Sequence, residues 1–125
     1  MKIQIANVLL VEDDFSLANA TMELLAALGY RARLADSASK AYESLSEPND
    51  LDIVLLDLQL GKERGDAVVM KLRAAGKPLP PIIILSAMPI GALADAIEMT
   101  RAHGMLQKPC SAPQLAKAIE SALAL

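Results

Sequence analysis

Asp52-Ile53-Val54-Leu55-Leu56-Asp57 is the stretch on which the reading of this chain turns. Its centre is a short, unbroken apolar run of strand-forming residues. Such a run suits a strand covered on both faces, as in the middle of a parallel sheet. It stops at Asp57, and Leu58-Gln59-Leu60-Gly61 follows. A carboxylate at the carboxyl end of a central parallel strand stands where open α/β sheets bind ligands. The plain alternative is that Asp57 only starts a loop; the other strand ends weigh against it.

On the N-terminal side, Ile3 to Val11 becomes apolar at Val8-Leu9-Leu10-Val11 and reads as a first buried strand, ending at Glu12-Asp13-Asp14. Ser16 is a candidate cap for the helix that follows, and Leu17, Thr21, Leu24, Leu25 and Leu28 share one helical face. Gly29 is a stop signal. Tyr30 to Ala35 alternates, with Arg31 and Arg33 opposite Ala32 and Leu34, as expected of a strand near an edge. Asp36 or Ser37 can cap a second helix to about Leu45, and Glu47-Pro48-Asn49-Asp50 is a loop.

On the C-terminal side, Gly61 to Gly65 reads as a polar loop. Asp66 can cap a third helix that turns Val68, Val69 and Leu72 inward and ends near Ala75-Gly76. Lys77-Pro78-Leu79-Pro80-Pro81 is too rich in proline for helix. Ile82-Ile83-Ile84-Leu85 is a further buried strand ending at Ser86. A fourth helix from about Gly91 to Ala102 has a weak apolar face in Leu93, Ala96 and Ile97. Met105-Leu106-Gln107 is a short last strand before Lys108-Pro109. Ser111 can cap a final helix with Pro113 in its first turn, burying Leu115, Ala118, Ile119, Ala122 and Leu123.

Strand and helix thus alternate five times, which implies a parallel sheet with helices on both faces. The 125 residues read as one domain, 1–125, with no internal repeat. Hydrophobic residues make up 54% and aromatics 2%, so the core is aliphatic. The net charge of -3 and the absence of a basic stripe argue against direct nucleic-acid binding. The single cysteine, Cys110, excludes an internal disulfide and fits a reducing compartment. With neither a signal peptide nor a membrane-length apolar run, the expected product is a soluble cytoplasmic domain.

Four strand ends carry polar groups: Glu12-Asp13, Asp57, Ser86 and Lys108. A parallel sheet brings all four to one edge. Three carboxylates gathered there repel one another and need compensation. A hard divalent cation such as Mg²⁺ prefers carboxylate oxygens and also binds phosphate oxygens, and Lys108 adds a positive point charge. A carboxylate beside Mg²⁺, a lysine and a hydroxyl suggests phosphoryl transfer, with Asp as nucleophile and the cations stabilising the transferring group.

On these residues the chain resembles the receiver domain of bacterial two-component response regulators. Val8-Leu9-Leu10-Val11-Glu12-Asp13-Asp14 looks like the family's first strand and acidic pair. Asp57 matches the phosphoacceptor, Gly65 the glycine that follows it, Ser86-Ala87 the Thr/Ser-Ala step, and Lys108-Pro109 the lysine and proline. The resemblance spans the chain. It implies a doubly wound, flavodoxin-like α/β fold of five parallel strands in the order 2-1-3-4-5 with five helices. It further implies Asp57 as the phosphorylated residue, with Ser86 and Lys108 holding the phosphoryl group. Asp13 and Asp57 would bind Mg²⁺ directly, Glu12 through a water, and Gln59 through its backbone carbonyl; Lys108-Pro109 would be cis.

The implied partners are a sensor histidine kinase or histidine phosphotransfer protein and a downstream output domain or protein; a homodimer is compatible with the resemblance. The domain would assist its own phosphorylation and dephosphorylation without being a turnover enzyme.

The chain departs from the family in three places. Leu60-Gly61 stands where Met-Pro is usual, Met105 where a switching Tyr or Phe is usual, and Cys110 where an aromatic is frequent. Gln59 and Met88 occupy positions that tune phosphoryl lifetime in relatives. Asp14 reads as the start of the first helix rather than a ligand. His103, the only histidine, has no histidine partner for a metal, and Cys110 reads as an inert thiol although Lys108 is near it.

The competing reading is a pseudo-receiver that keeps the fold as a protein-interaction module. A phosphatase with an Asp nucleophile would carry an acidic residue at position 59. A flavin or nucleotide carrier would carry a Gly-rich loop after the first strand.

Overall fold

Five strands pair in parallel: β1 (Asn7–Val11), β2 (Arg31–Ala35), β3 (Ile53–Asp57), β6 (Ile82–Ser86) and β7 (Gly104–Gln107), in the order β2-β1-β3-β6-β7. Counted within this sheet alone, that is the expected 2-1-3-4-5. The computed structural model describes residues 5–124, apart from the side chains of Ile90 and Ala92. Ile3 and Gln4, assigned from sequence to the first strand, lie outside the described residues.

β3 is buried along its whole length because both faces are covered. Alternate side chains sort onto the two faces. Leu9, Val11, Val54, Leu56 and Ile82 pack with Ala41, Leu45, Val69 and Leu72 of helices α2 (Ala38–Ser46) and α3 (Gly65–Ala74). Val8, Leu10, Ile53, Leu55, Ile83 and Leu85 pack with Leu25, Leu115 and Ile119 of helices α1 (Phe15–Ala27) and α5 (Ala112–Leu123). Leu58 and Ile84 pack with Leu93 and Ala96 of helix α4 (Ile90–Thr100). The fold is therefore doubly wound α/β. No described helix is long and apolar enough to cross a membrane.

Some helix ends follow the local sequence signals and others depart from them. Ser37 caps α2 through the Lys40 N–H, and Ser111 caps α5 in a capping box with Gln114. Gly29, at φ 91°, terminates α1 as expected.

The cap of α1 is Asp14 rather than Ser16: its carboxylate accepts from the Leu17 N–H at 3.0 Å, so the helix begins at Phe15 and Ser16 lies inside it. Leu17 is 43% exposed instead of facing the core, while Ala18 and Leu25 are buried. The cap of α3 is Arg64, without a side-chain cap bond, and not Asp66. With Gly65 packed closely against the Asp57 backbone, that helix starts two residues earlier, at Gly65.

α4 stops at Thr100, short of the expected Ala102. Arg101 takes a left-handed conformation at φ 58°, and the Thr100 carbonyl accepts from Arg73 Nε at 3.0 Å.

The stretch expected to be a polar loop after Asp57 contains a small hairpin. β4 (Gln59–Leu60) and β5 (Glu63–Arg64) pair antiparallel, with Gly61 at φ 62° in the turn. Strands of two residues are too short for alternation to reveal.

Candidate functional site

All four polar strand ends meet at one edge of the sheet. β1 runs out at Glu12, whose N–H continues the ladder by donating to the Ala35 carbonyl at 3.1 Å. β3 ends in Asp57, and β6 ends in Ser86 one strand away. The end of β7 is held to β6 by the Lys108 N–H, which donates to the Ser86 carbonyl at 2.9 Å. The Lys108–Pro109 peptide is cis.

Lys108 Nζ donates to Asp57 Oδ2 at 2.9 Å and also to Glu12 Oε1. Glu12 and Asp57 are only 4% and 6% exposed. Carboxylate oxygens of Glu12, Asp13 and Asp57 lie within 4.8 Å of one another. Asp57 Oδ1 accepts from the Gln59 N–H at 3.1 Å, and Glu12 Oε2 from the Asp14 N–H at 3.3 Å. Ser86 is fully buried, and its Oγ accepts from the Met88 N–H at 3.1 Å. That bond leaves the hydroxyl proton free to be donated.

The charges are in tension. Burial, followed by the neighbouring Asp57, pushes the Glu12 carboxyl above its ordinary pKa, against the opposing pull of Lys108. Burial is also the largest single influence on Lys108 and works against its charge. Its bonds to Glu12 and Asp57 together outweigh burial, so its pKa lies above the ordinary lysine value. The shared ion pair therefore secures the lysine charge more than the Glu12 charge.

An open cleft of about 720 Å³ gives access to these groups. Its walls include Asp13, Gln59, Lys62, Arg64, Ala87 and Pro109. Lys62, Glu63 and Arg64 were not singled out from sequence; the hairpin that lifts them to the cleft has no signal beyond the glycine at its turn. Asp14, as read, serves the first helix. Cys110 is half-buried, and burial pushes its thiol pKa up despite Lys108, which agrees with an inert thiol. Met105 is half-buried against the Leu58, Ile84 and Leu93 cluster.

The sequence profile of the "Response regulator receiver domain" family matches residues 8–120. The chain belongs to the response regulator receiver family. Among curated relatives, the transcriptional regulatory protein ZraR of Escherichia coli (strain K12) is 30% identical over 118 residues, covering 94% of this chain and 26% of ZraR. The swarming motility regulation protein RssB of Serratia marcescens is 31% identical over 115 residues, covering 92% of this chain and 52% of RssB. This receiver domain thus spans about a quarter to a half of the length of such relatives. Among solved structures, the signal receiver domain of a putative Luxo repressor protein from Vibrio parahaemolyticus is 26% identical. That alignment has a TM-score of 0.84 and covers 97% of this chain and 92% of that one.

Proposed function

We propose that this receiver domain is a Mg²⁺-dependent phosphoacceptor switch. Asp57 takes a phosphoryl group from a histidine of a sensor kinase or phosphotransfer protein in the cytoplasm, and an output domain or protein reads the change. The observation that carries this reading is the placement of Asp57. It is a nearly buried carboxylate, bonded to Lys108, beside a buried hydroxyl and opening into a cleft. A pseudo-receiver that only docked partners would have no use for a buried carboxylate, ammonium and hydroxyl at one strand edge.

In the transfer, an Asp57 carboxylate oxygen forms a bond to phosphorus as the donor's P–N bond breaks; the electron pair leaves on the imidazole nitrogen. Lys108, with a side chain only 17% exposed, sets its charge against a phosphoryl oxygen in a site partly shielded from water. The Ser86 hydroxyl donates to another. Glu12, Asp13 and Asp57, with the Gln59 carbonyl, are the hard oxygen donors that suit Mg²⁺, which when bound would offset the carboxylates and the incoming phosphoryl charge. The domain thereby assists its own phosphorylation and the later hydrolysis without being a turnover enzyme.

The test is the intact mass after incubation with acetyl phosphate, with and without chelator. One phosphoryl group should appear on the wild type only with Mg²⁺, and none on Asp57→Ala. Labelling of Asp57→Ala at the wild-type rate would sink the assignment.

A further inference from the structure

Besides Lys108, the cleft is lined by two further cations, Lys62 and Arg64, and of these two Arg64 is the one fixed by bonds to neighbouring side chains. Arg64 stands on β5, on the wall of the cleft that also contains Asp57. Its guanidinium is bidentate to Asp66, with Nε to Oδ1 at 3.1 Å and Nη2 to Oδ2 at 3.2 Å. The remaining nitrogen, Nη1, reaches away to Met88 Sδ at 4.0 Å. Arg64 therefore bridges the hairpin after β3 to the loop after β6, the two segments that flank Asp57 and Ser86. It stands nearer the mouth than Lys108: the Arg64 side chain is 47% exposed, against 17% for Lys108.

We propose that Arg64 is a phosphoryl-contacting residue that lengthens the lifetime of the phosphorylated state; this rests on Asp57 being the acceptor. Asp66 holds the fork, so Nη1 is the donor left for a dianionic group arriving on Asp57. The two cations have different effects because they lie on different sides. Lys108, besides facing a phosphoryl oxygen, is bonded to an Asp57 carboxylate oxygen, and negative charge grows on that carboxylate when the bond to phosphorus breaks. Arg64, on the outer side, bonds the phosphoryl oxygens themselves, whose charge is greatest before the bond breaks if the transition state is loose. With Met88 beside it, Arg64 also narrows the approach of water.

The step affected is hydrolysis. Water adds its oxygen to phosphorus, the bond to the Asp57 oxygen breaks, and the electron pair stays on the carboxylate. Both water protons leave with dihydrogen phosphate.

The experiment phosphorylates wild type, Arg64→Ala and Arg64→Lys with acetyl phosphate and Mg²⁺, removes the donor, and follows decay by intact mass. Arg64→Ala should decay about fivefold faster, the rate equivalent of losing one partly exposed charge-assisted bond. Arg64→Lys should fall between, keeping the charge without the fork. More salt should narrow the gap between wild type and Arg64→Ala. A rate for Arg64→Ala equal to or slower than wild type, once both are phosphorylated, overturns the role of Arg64 and leaves Asp57 as acceptor. A wild type that takes no phosphate overturns both.

Discussion

A Cβ placed on Gly65 would lie 2.0 Å from the backbone carbonyl oxygen of Asp57. The first turn of α3 is thus laid directly on the backbone of the candidate acceptor, and only a residue without a side chain permits it. Gly65→Ala must push one of the two apart, and both are buried. The expected cost is about 3 kcal/mol. Gly76→Ala is the control. Nothing lies within 4 Å of its Cβ, and φ is +73°, so about 1 kcal/mol is expected from backbone strain alone. Urea denaturation of the two variants measures the contrast; equal losses would refute the packing argument.

Asp13 and Asp14 are neighbours in sequence with separable roles. Asp14 caps α1, and Asp13 shares the carboxylate cluster. Asp14→Ala should cost about 1 kcal/mol of stability and leave Mg²⁺ affinity nearly intact. Asp13→Ala should weaken Mg²⁺ binding about tenfold or more without a stability loss. Calorimetric titration and thermal unfolding of both variants check the assignment, and equal losses of Mg²⁺ affinity would contradict it.

The raised pKa of Glu12 sets a sign for pH dependence. Burial first, then Asp57, makes the folded state hold the Glu12 proton more tightly than an unfolded chain, whose carboxyl titrates near 4.5. Stability from that proton is fully present below 4.5 and is lost as pH rises through the higher folded-state value. Glu12→Gln cannot titrate. Between neutral pH and about 4.5, the wild type should gain stability relative to Glu12→Gln. Urea midpoints across this range decide it; a parallel course of the two curves is the contrary result.

Ser86 and Met105 bear on how phosphorylation spreads. The Ser86 hydroxyl has a proton to donate and a backbone bond to the next loop, so it can be drawn toward a phosphoryl oxygen. Met105 is unbranched and can refill the α4 cluster in several rotamers, so the two states around it differ less in energy than with an aromatic. Beryllofluoride with Mg²⁺ should therefore shift amide resonances around Asp57, the hairpin and α1 more than those of α4 and β7. Large two-state shifts through α4 and Met105, abolished by Ser86→Ala, would show the opposite.

The long-range organisation was legible because it depends on hydrophobic pattern. Four of the main-sheet strands carry apolar or alternating runs, and their polar ends mark one edge wherever parallel strands stop together. Asp57 and Ser86 needed no more than this to be gathered, whereas Lys108 follows β7, whose run is short and weakly patterned. The misreadings are local. Asp14 and Ser16 are both capable caps two residues apart, and Asp14 fills the role in the folded chain. Asp66 is an equally plausible cap, displaced because Gly65 must meet the Asp57 carbonyl, a contact between residues eight apart that no helix signal encodes. Arg64 went unnoticed because its importance comes from a hairpin of two-residue strands, and a lone arginine after a glycine turn carries no pattern of its own.

The sheet has a second end, and its separation from the cleft has a practical consequence. Every residue lining the cleft lies at or beyond the carboxyl end of a main-sheet strand or opens the next helix. The Glu47–Asn49 and Lys77–Pro80 segments lie together at the opposite end, before β3 and β6. A reporter peptide or fluorophore grafted at Pro78 would therefore travel with the domain while leaving its reactive edge untouched. Labelling for distance measurements to a bound kinase belongs there, and not on any loop that leaves a strand at its carboxyl end.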